Sequence, residues 1–406
     1  MAATDRGDLT RTAILALLGT GGPLSRTEIA RELDLSPATV TQLARELMGH
    51  GMLEELDLKP SRGGRPAVRL GLVGGAGRAL GVKVTADHLV LVDVRLDGEV
   101  LGSWERPFDP HAADALDKLA AAVESAVPAS GEQAPPLLGV GVGVPGSVDD
   151  QAVGTVNAPT LGWQAMPVGE RLRRRLELPV LVENDVNALA AAERLYGRGR
   201  THRDFLVVTI GRGVGAAIVA DGRVYRGARG GAGEFGHLPV APDGPVCGCG
   251  ARGCLEALVG SAGLLAAARA RSAERDGANP DPLGAVAALG RAAAGGDPVA
   301  REVFAEAGGI LGRATAGLIN VVDPEVVVVL GEGTADWPLW RDGFEQALRA
   351  QLYPGRRDIA VEVESWDDTS WAQGAAALVL ATPFDAAGAA GEQGRLVRAR
   401  LIGATP

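Results

Sequence analysis

The spacing of apolar residues changes character near residue 78. Before that point apolar positions recur at helical intervals; after it, short β-branched runs alternate with amphipathic stretches. Leu9, Ile14, Leu17 and Leu18 predict a helix that Gly19, Gly21, Gly22 and Pro23 bring to an end. Ser25, with Glu28 three residues on, is a capping-box arrangement and starts a second helix ending near Leu33. Ser36 caps a third helix, with Pro37 at its first position, where a missing N–H does no harm. Val40, Leu43, Ala44 and Leu47 form the apolar stripe of that helix, and Thr39, Thr41, Gln42 and Arg45 its polar face. Two strands follow, Met52 to Leu56 and Ala67 to Leu70, joined by a loop that sets Arg62 and Arg65 among glycine and proline.

Two helices around a tight turn followed by a hairpin predict a winged helix-turn-helix over residues 1–72, its third helix suited to the major groove of double-stranded DNA. Glutamine can bridge the N6 and N7 edges of adenine, and arginine can pair with guanine. Candidate DNA contacts are therefore Ser36, Thr39, Thr41, Gln42 and Arg45, with Arg62 and Arg65 placed to enter a narrow minor groove. A net charge of −10 excludes indiscriminate coating of nucleic acid but not local recognition, because no acidic residue falls between Lys59 and Arg78.

From residue 78 the pattern predicts strands at 79–84, 89–94 and 99–102, a helix at 112–127, a strand at 137–144, a helix at 168–176, a strand at 180–182 and a helix at 186–196. A second cycle opens with a strand at 205–210 and a hairpin through Asp221-Gly222. Helices fill 255–320, and Val326 to Leu330 is a buried strand. Two such cycles predict two α/β lobes with a cleft between them. A chain of 406 residues suits two or three domains. The tail from Asp385, rich in alanine, glycine and arginine, is expected to be peripheral (384–406).

No apolar stretch is long enough and free enough of charge to span a membrane. The run Ala13 to Leu18 follows Asp5 and Asp8, which suits a buried helix better than a secretion signal. All three cysteines, Cys247, Cys249 and Cys254, lie in one short segment, which points to metal ligation in a reducing, cytoplasmic compartment rather than to disulfides.

Several motifs occur in order: Pro145-Gly146; Asn157-Ala158-Pro159 before Gly162-Trp163; Val182-Glu183-Asn184-Asp185-Val186-Asn187-Ala188; Gly231-Ala232-Gly233-Glu234-Phe235-Gly236-His237; and Cys247-Gly248-Cys249-Gly250-Ala251-Arg252-Gly253-Cys254-Leu255-Glu256. Over residues 78–383 they closely resemble the ROK family, named for repressors, open reading frames and kinases. With the N-terminal module the chain resembles a transcriptional regulator of that family. The resemblance implies an actin-like (ribonuclease-H-like) two-lobed sugar-kinase fold. It also implies a structural zinc ion (Zn2+) on His237, Cys247, Cys249 and Cys254, a closed tetrahedral set with no open position. The resemblance further places the family's sugar-binding positions on Asn157, Asn184, Asp185, Glu234, His237 and Glu256, side chains able to grip hydroxyls. Asp185 stands where the kinases hold their base.

The phosphate-handling elements depart from the kinase pattern. Where the family's kinases have an Asp-x-Gly-Gly-Thr loop, this chain reads Lys83-Val84-Thr85-Ala86-Asp87, so a cation replaces the acid and both glycines are lost. Arg212 interrupts the second loop, and Gly331-Glu332-Gly333 keeps part of the third. The expectation is a non-enzymatic, sugar-released repressor, a homodimer or homotetramer on a DNA operator. The alternatives are an active ATP-dependent sugar kinase with an accessory DNA-binding domain, and a constitutive DNA-binding protein whose core serves assembly.

Overall fold

The computed structural model describes residues 3–59, 67–127, 135–271, 282–364, 369–385 and 390–402. It opens with helix α1 (Ala3–Gly21), strand β1 (Leu24–Ser25), α2 (Arg26–Glu32), α3 (Pro37–Gly49), β2 (Leu53–Lys59) and β3 (Ala67–Leu72). The Ser25 hydroxyl accepts from the Glu28 N–H while the Glu28 carboxylate accepts from the Ser25 N–H, the reciprocal box its sequence spacing implies. The strands pair antiparallel in the order β1-β3-β2, which makes the wing. Ile14, Ile29, Val40, Leu47, Met52 and Leu70 are closed to solvent beneath it. The loop between β2 and β3, with Arg62 and Arg65, lies outside the described residues.

β4 (Arg78–Val84), β5 (His88–Arg95) and β6 (Val100–Pro107) then form an antiparallel meander. Helix α4 (Ala115–Ala126) leads to β7 (Leu137–Val144), which pairs parallel with β4. A small sheet of β8 (Ser147–Val148), β9 (Thr155–Ala158) and β10 (Trp163–Pro167) precedes α5 (Val168–Leu176), β11 (Val180–Asn184) and α6 (Asp185–Leu195). The main sheet has the order β11-β7-β4-β5-β6.

The same plan repeats. β12 (Phe205–Ile210), β13 (Val214–Ala220) and β14 (Arg223–Val224) form a second meander. Helices α7 (Leu255–Val259), α8 (Ser261–Arg271), α9 (Pro282–Ala294) and α10 (Pro298–Val322) follow, then β15 (Val326–Leu330), α11 (Trp337–Gln351) and β16 (Ala360–Val363). Their sheet runs β14-β13-β12-β15-β16, so each five-stranded sheet adds two parallel strands beside the first strand of its meander.

The chain forms two compact units, residues 202–368 and the remainder (1–201 with 369–406). It re-enters the first unit through α12 (Ser370–Leu380) and ends in α13 (Gly391–Leu401). α12 lies directly against β4, because a Cβ at Gly81 would stand 1.9 Å from the Ala372 carbonyl oxygen. The division expected between residues 72 and 78 falls inside this unit. One apolar core runs from Ile14, Leu47 and Leu70 through Ala79 and Val92 to Ala376, Phe384 and Val397.

The tail corrects the expectation that it would be peripheral. Phe384 packs its ring over Gly19 of α1 and is 5% exposed. Val397 is fully buried, the Gln393 side-chain oxygen accepts from the Val180 N–H, and Arg400 donates to the Leu137 carbonyl. Glycine and alanine hid this segment because they weaken any periodic signal, yet Val397 and Leu401, four apart, sit on one buried face.

Candidate functional site

Three places hold the candidate chemistry: the exposed face of α3, the end of β11 in the first unit, and the loop after β14 in the second.

On α3 the buried stripe is Val40, Leu43, Ala44 and Leu47, which leaves Thr41, Gln42 and Arg45 exposed. Ser36 is engaged as the N-cap: its hydroxyl accepts from the Thr39 N–H at 3.1 Å and lies 2.8 Å from the Thr39 hydroxyl. Thr41 donates to the Pro37 carbonyl at 2.7 Å. Sequence reasoning missed Glu46. Its carboxylate accepts from Gln42 at 3.2 Å and from Arg11 of α1 at 2.9 Å, so it aims the Gln42 amide and ties α3 to α1. The hydrogen bond from Arg11, then that from Gln42, holds the Glu46 carboxyl below the usual carboxylate range. The signal was available as the four-residue spacing of Gln42 and Glu46.

In the first unit, β11 delivers Asn184 and Asp185 to the start of α6. Asn184 is that helix's cap: its side-chain oxygen accepts from the N–H groups of Val186 and Asn187, and its amide donates to the Gly146 carbonyl at 2.9 Å. Most of its bonding capacity is thus spent within the protein. Asn157, opposite Ser147 in the small sheet, reaches the same Gly146 turn and accepts from the Ala165 N–H at 2.9 Å. Asp185 is buried, and its Oδ1 accepts from the Val186 N–H at 2.9 Å. Its Oδ2 is ion-paired with Lys83, from a position 102 residues earlier in the chain. The Lys83 ammonium also stands 4.0 Å from the ring centroid of Trp371 on α12. Neither this pairing nor Trp371 was anticipated from the sequence, since no local spacing links the three.

In the second unit, Gly233 (φ +89°) lets the loop lie on β13, where a Cβ would stand 2.1 Å from the Ala216 carbonyl oxygen. That contact fixes Glu234, whose Oε2 is 3.8 Å from His237 Nε2. Glu256, in the first turn of α7, accepts from the Val214 N–H at 3.2 Å. The segments that carry Glu234, His237 and Glu256 are thereby gathered against one strand, β13. The other nitrogen of His237 faces the sulfurs: Nδ1 is 3.6 Å from Cys247 Sγ, and Cys249 Sγ is 3.7 Å from Cys254 Sγ. The ligand atoms of His237, Cys247, Cys249 and Cys254 all lie within 4.8 Å of one another, a cluster that could hold a metal ion. Burial, with the hydrogen bonds it donates to the neighbouring sulfurs, pushes the Cys254 thiol up to about 12. A bound cation would instead favour the thiolate. Arg212 is exposed, and Glu332 approaches Gly211. Among the described residues no helix is long and apolar enough to cross a membrane.

A two-lobed sheet plan with this motif order defines a class, and comparison with known proteins agrees. Residues 79–382 match the ROK family and residues 12–57 match the IclR helix-turn-helix domain. The chain belongs to the ROK family. It is 30% identical over 375 residues to the DNA-binding transcriptional dual regulator NagC of Escherichia coli, covering 91% of this chain and 92% of that one. It is 28% identical over 372 residues to the xylose repressor of Caldicellulosiruptor bescii, covering 88% and 92%. A crystal structure of a ROK family transcriptional regulator, a homolog of the E. coli MLC protein, superposes with a TM-score of 0.81 at 26% identity, covering 98% of this chain and 100% of that one. Kinases also match: the glucokinase of Streptomyces coelicolor is 32% identical over 292 residues, but covers 69% of this chain and 89% of its own.

Proposed function

We propose that this protein is a cytoplasmic, sugar-responsive transcriptional repressor that binds operator DNA as a homodimer or homotetramer and releases it when a sugar binds. The observation that carries this reading is the extent of the similarity. Regulators match through the helix-turn-helix and the ROK domain together, whereas the glucokinase covers a smaller share of the chain. Gln42 and Arg45 read base edges, Thr39 and Thr41 support them, Ser36 sets the helix that carries them, and Arg62 and Arg65 serve the minor groove. Asn157, Asp185, Glu234, His237 and Glu256 supply sugar contacts, with Asn184 holding the turn beside Asp185.

The second-unit cluster holds structural zinc. With Zn–S near 2.3 Å and Zn–N near 2.1 Å, the edges of a tetrahedral site are about 3.8 Å between sulfurs and about 3.6 Å between sulfur and nitrogen. The Cys249–Cys254 and Cys247–His237 separations of 3.7 and 3.6 Å fit those edges. The ion would pin the loop that carries Glu234 and leave the Nε2 side of His237 for a ligand.

Catalysis is disfavoured by Lys83. An ammonium cannot ligate magnesium, and its pairing with Asp185 opposes a base role for that carboxylate. To act as inducer, the sugar must prefer the DNA-released arrangement; equal affinity for both would shift nothing. Fluorescence anisotropy on the DNA upstream of the protein's own gene, titrated with sugars, tests the reading. Release by one sugar is expected, and retention under a full panel would overturn it. ATP turnover with any sugar of the panel would favour the kinase reading instead.

A further inference from the structure

The Lys83–Asp185 pair has no use in a phosphate loop, yet it is buried and built from two sides. Lys83 comes from β4 and Asp185 from the start of α6, with Trp371 closing over the ammonium. Only 11% of the Lys83 side chain and 12% of the Asp185 side chain remain open to solvent. We infer that Lys83 is a specificity-determining residue for the effector: together with Asp185 it reads one free sugar hydroxyl and discriminates against the phosphorylated sugar. This inference rests on the sugar-binding reading above and names the class of sugar taken.

The argument is one of donors and acceptors. An ammonium has three N–H donors and no acceptor. One goes to Asp185, one direction is covered by the ring of Trp371, and no further partner of Lys83 occurs among the described residues. Asp185 has one bond to each oxygen, from Lys83 and from the Val186 N–H, so each oxygen can accept one more. The pair therefore offers a donor and an acceptor side by side. A hydroxyl is the group that uses both at once, donating to Asp185 and accepting from Lys83. A phosphate monoester near neutral pH carries a charge of about −2 and only accepts. What it would gain at Lys83 it would lose against Asp185, because the pair has no net charge. A lone aspartate, by contrast, would use only the hydroxyl's proton.

Removing one charge at a time tests this with signs that a structural ion pair would not produce. Isothermal titration is carried out on the full-length protein with D-glucose and glucose 6-phosphate, and with N-acetyl-D-glucosamine and its 6-phosphate. The wild type should bind a free sugar at least tenfold more tightly than its phosphate. Asp185→Asn frees the Lys83 charge and should move the preference toward the phosphate by tenfold or more. The double variant Lys83→Met/Asp185→Asn keeps a neutral, similarly sized pair and should lose that shift, while binding the free sugar at least tenfold more weakly than the wild type. A wild type that prefers the phosphate would overturn the inference. So would an unchanged free-to-phosphate ratio in Asp185→Asn, or an undiminished free-sugar affinity in the double variant, and either result would leave the sugar-binding reading standing. Absence of binding by the wild type to all four compounds would remove that reading, and this inference with it.

Discussion

The two five-stranded sheets share one strand order and are finished in opposite ways. The first is packed by an alanine-rich helix at backbone distance, and its core continues without a break into the helix-turn-helix. The second has its own core, filled by aromatic side chains between long helices: Phe304 meets Trp340 edge-on at 5.6 Å, and Trp337 meets Phe344 at 5.1 Å. Beside that core it carries a loop organised around sulfur and imidazole donors. One topology thus serves two ends. Where the core is shared, a change in the sheet is felt by the DNA-reading helices. Where the core is private, a loop with little apolar content needs another means of holding its shape.

The largest effect is expected where the zinc site proposed for that loop loses a ligand. Cys254→Ser removes one of four donors and should take bound zinc from about one per chain to none. Loss of a structural metal belongs with the largest single-site effects, more than about 4 kcal/mol. Hydrogen exchange should locate the damage in β13, α7 and the loop between β14 and α7, with α1 to α3 unaffected. Equal protection of that loop with and without metal would show that the second unit does not depend on the cluster.

Next comes the shared core. Phe384→Ala empties the space over Gly19 and should cost about 3–5 kcal/mol, the usual range for a buried phenylalanine. Since the core is continuous, α1 to α3 should lose protection together with β4 and α12. If those helices exchanged as before while the sheet weakened, the two would be separate cooperative units and the contrast drawn above would fail.

What the sequence disclosed divides along similar lines. Features set by neighbours a few residues apart were legible: the capping box at Ser25, the Pro37 start of α3, the stripe from Val40 to Leu47 and both meanders. The cysteine spacing disclosed the cluster for the same reason. Features made by distant partners were not. Lys83 could be recognised as a misfit in a phosphate loop, but nothing local indicated that it faces Asp185 and Trp371. Helix α12 escaped notice because Gly374-Ala375-Ala376-Ala377 is buried on every side and shows no amphipathic period. α11 and β16 were likewise not foreseen. α11 is amphipathic, with Trp340, Phe344 and Leu348 at four-residue spacing, so that signal was present and was overlooked.

A smaller effect tests the local half of that division. Ser25→Ala removes the hydroxyl that accepts from the Glu28 N–H and donates to the Glu28 carboxylate. A cost of about 1 kcal/mol is typical of an N-cap. It should appear as faster exchange in the first turn of α2. Unchanged exchange there would mean that packing against Ile29 and Ala30, both buried, fixes the turn without its cap.

The smallest effect concerns Glu46, through which the shared core reaches the DNA-reading face. Its pKa is lowered in the folded protein, chiefly by the hydrogen bond from Arg11. A depressed carboxyl contributes stability above its unfolded pKa and loses it as pH falls through the folded value. Glu46→Gln should therefore cost little near pH 7, up to about 1 kcal/mol for a pair that is about one-third exposed. The difference from wild type should vanish on acidification below the ordinary carboxylate range. Operator affinity should report a second consequence. Glu46→Gln no longer offers Gln42 a charged acceptor, so discrimination at the base proposed for Gln42 should weaken more than affinity for non-specific DNA. Were both to fall equally, Glu46 would be serving the helix pair alone, and the aim of Gln42 would be set by the DNA.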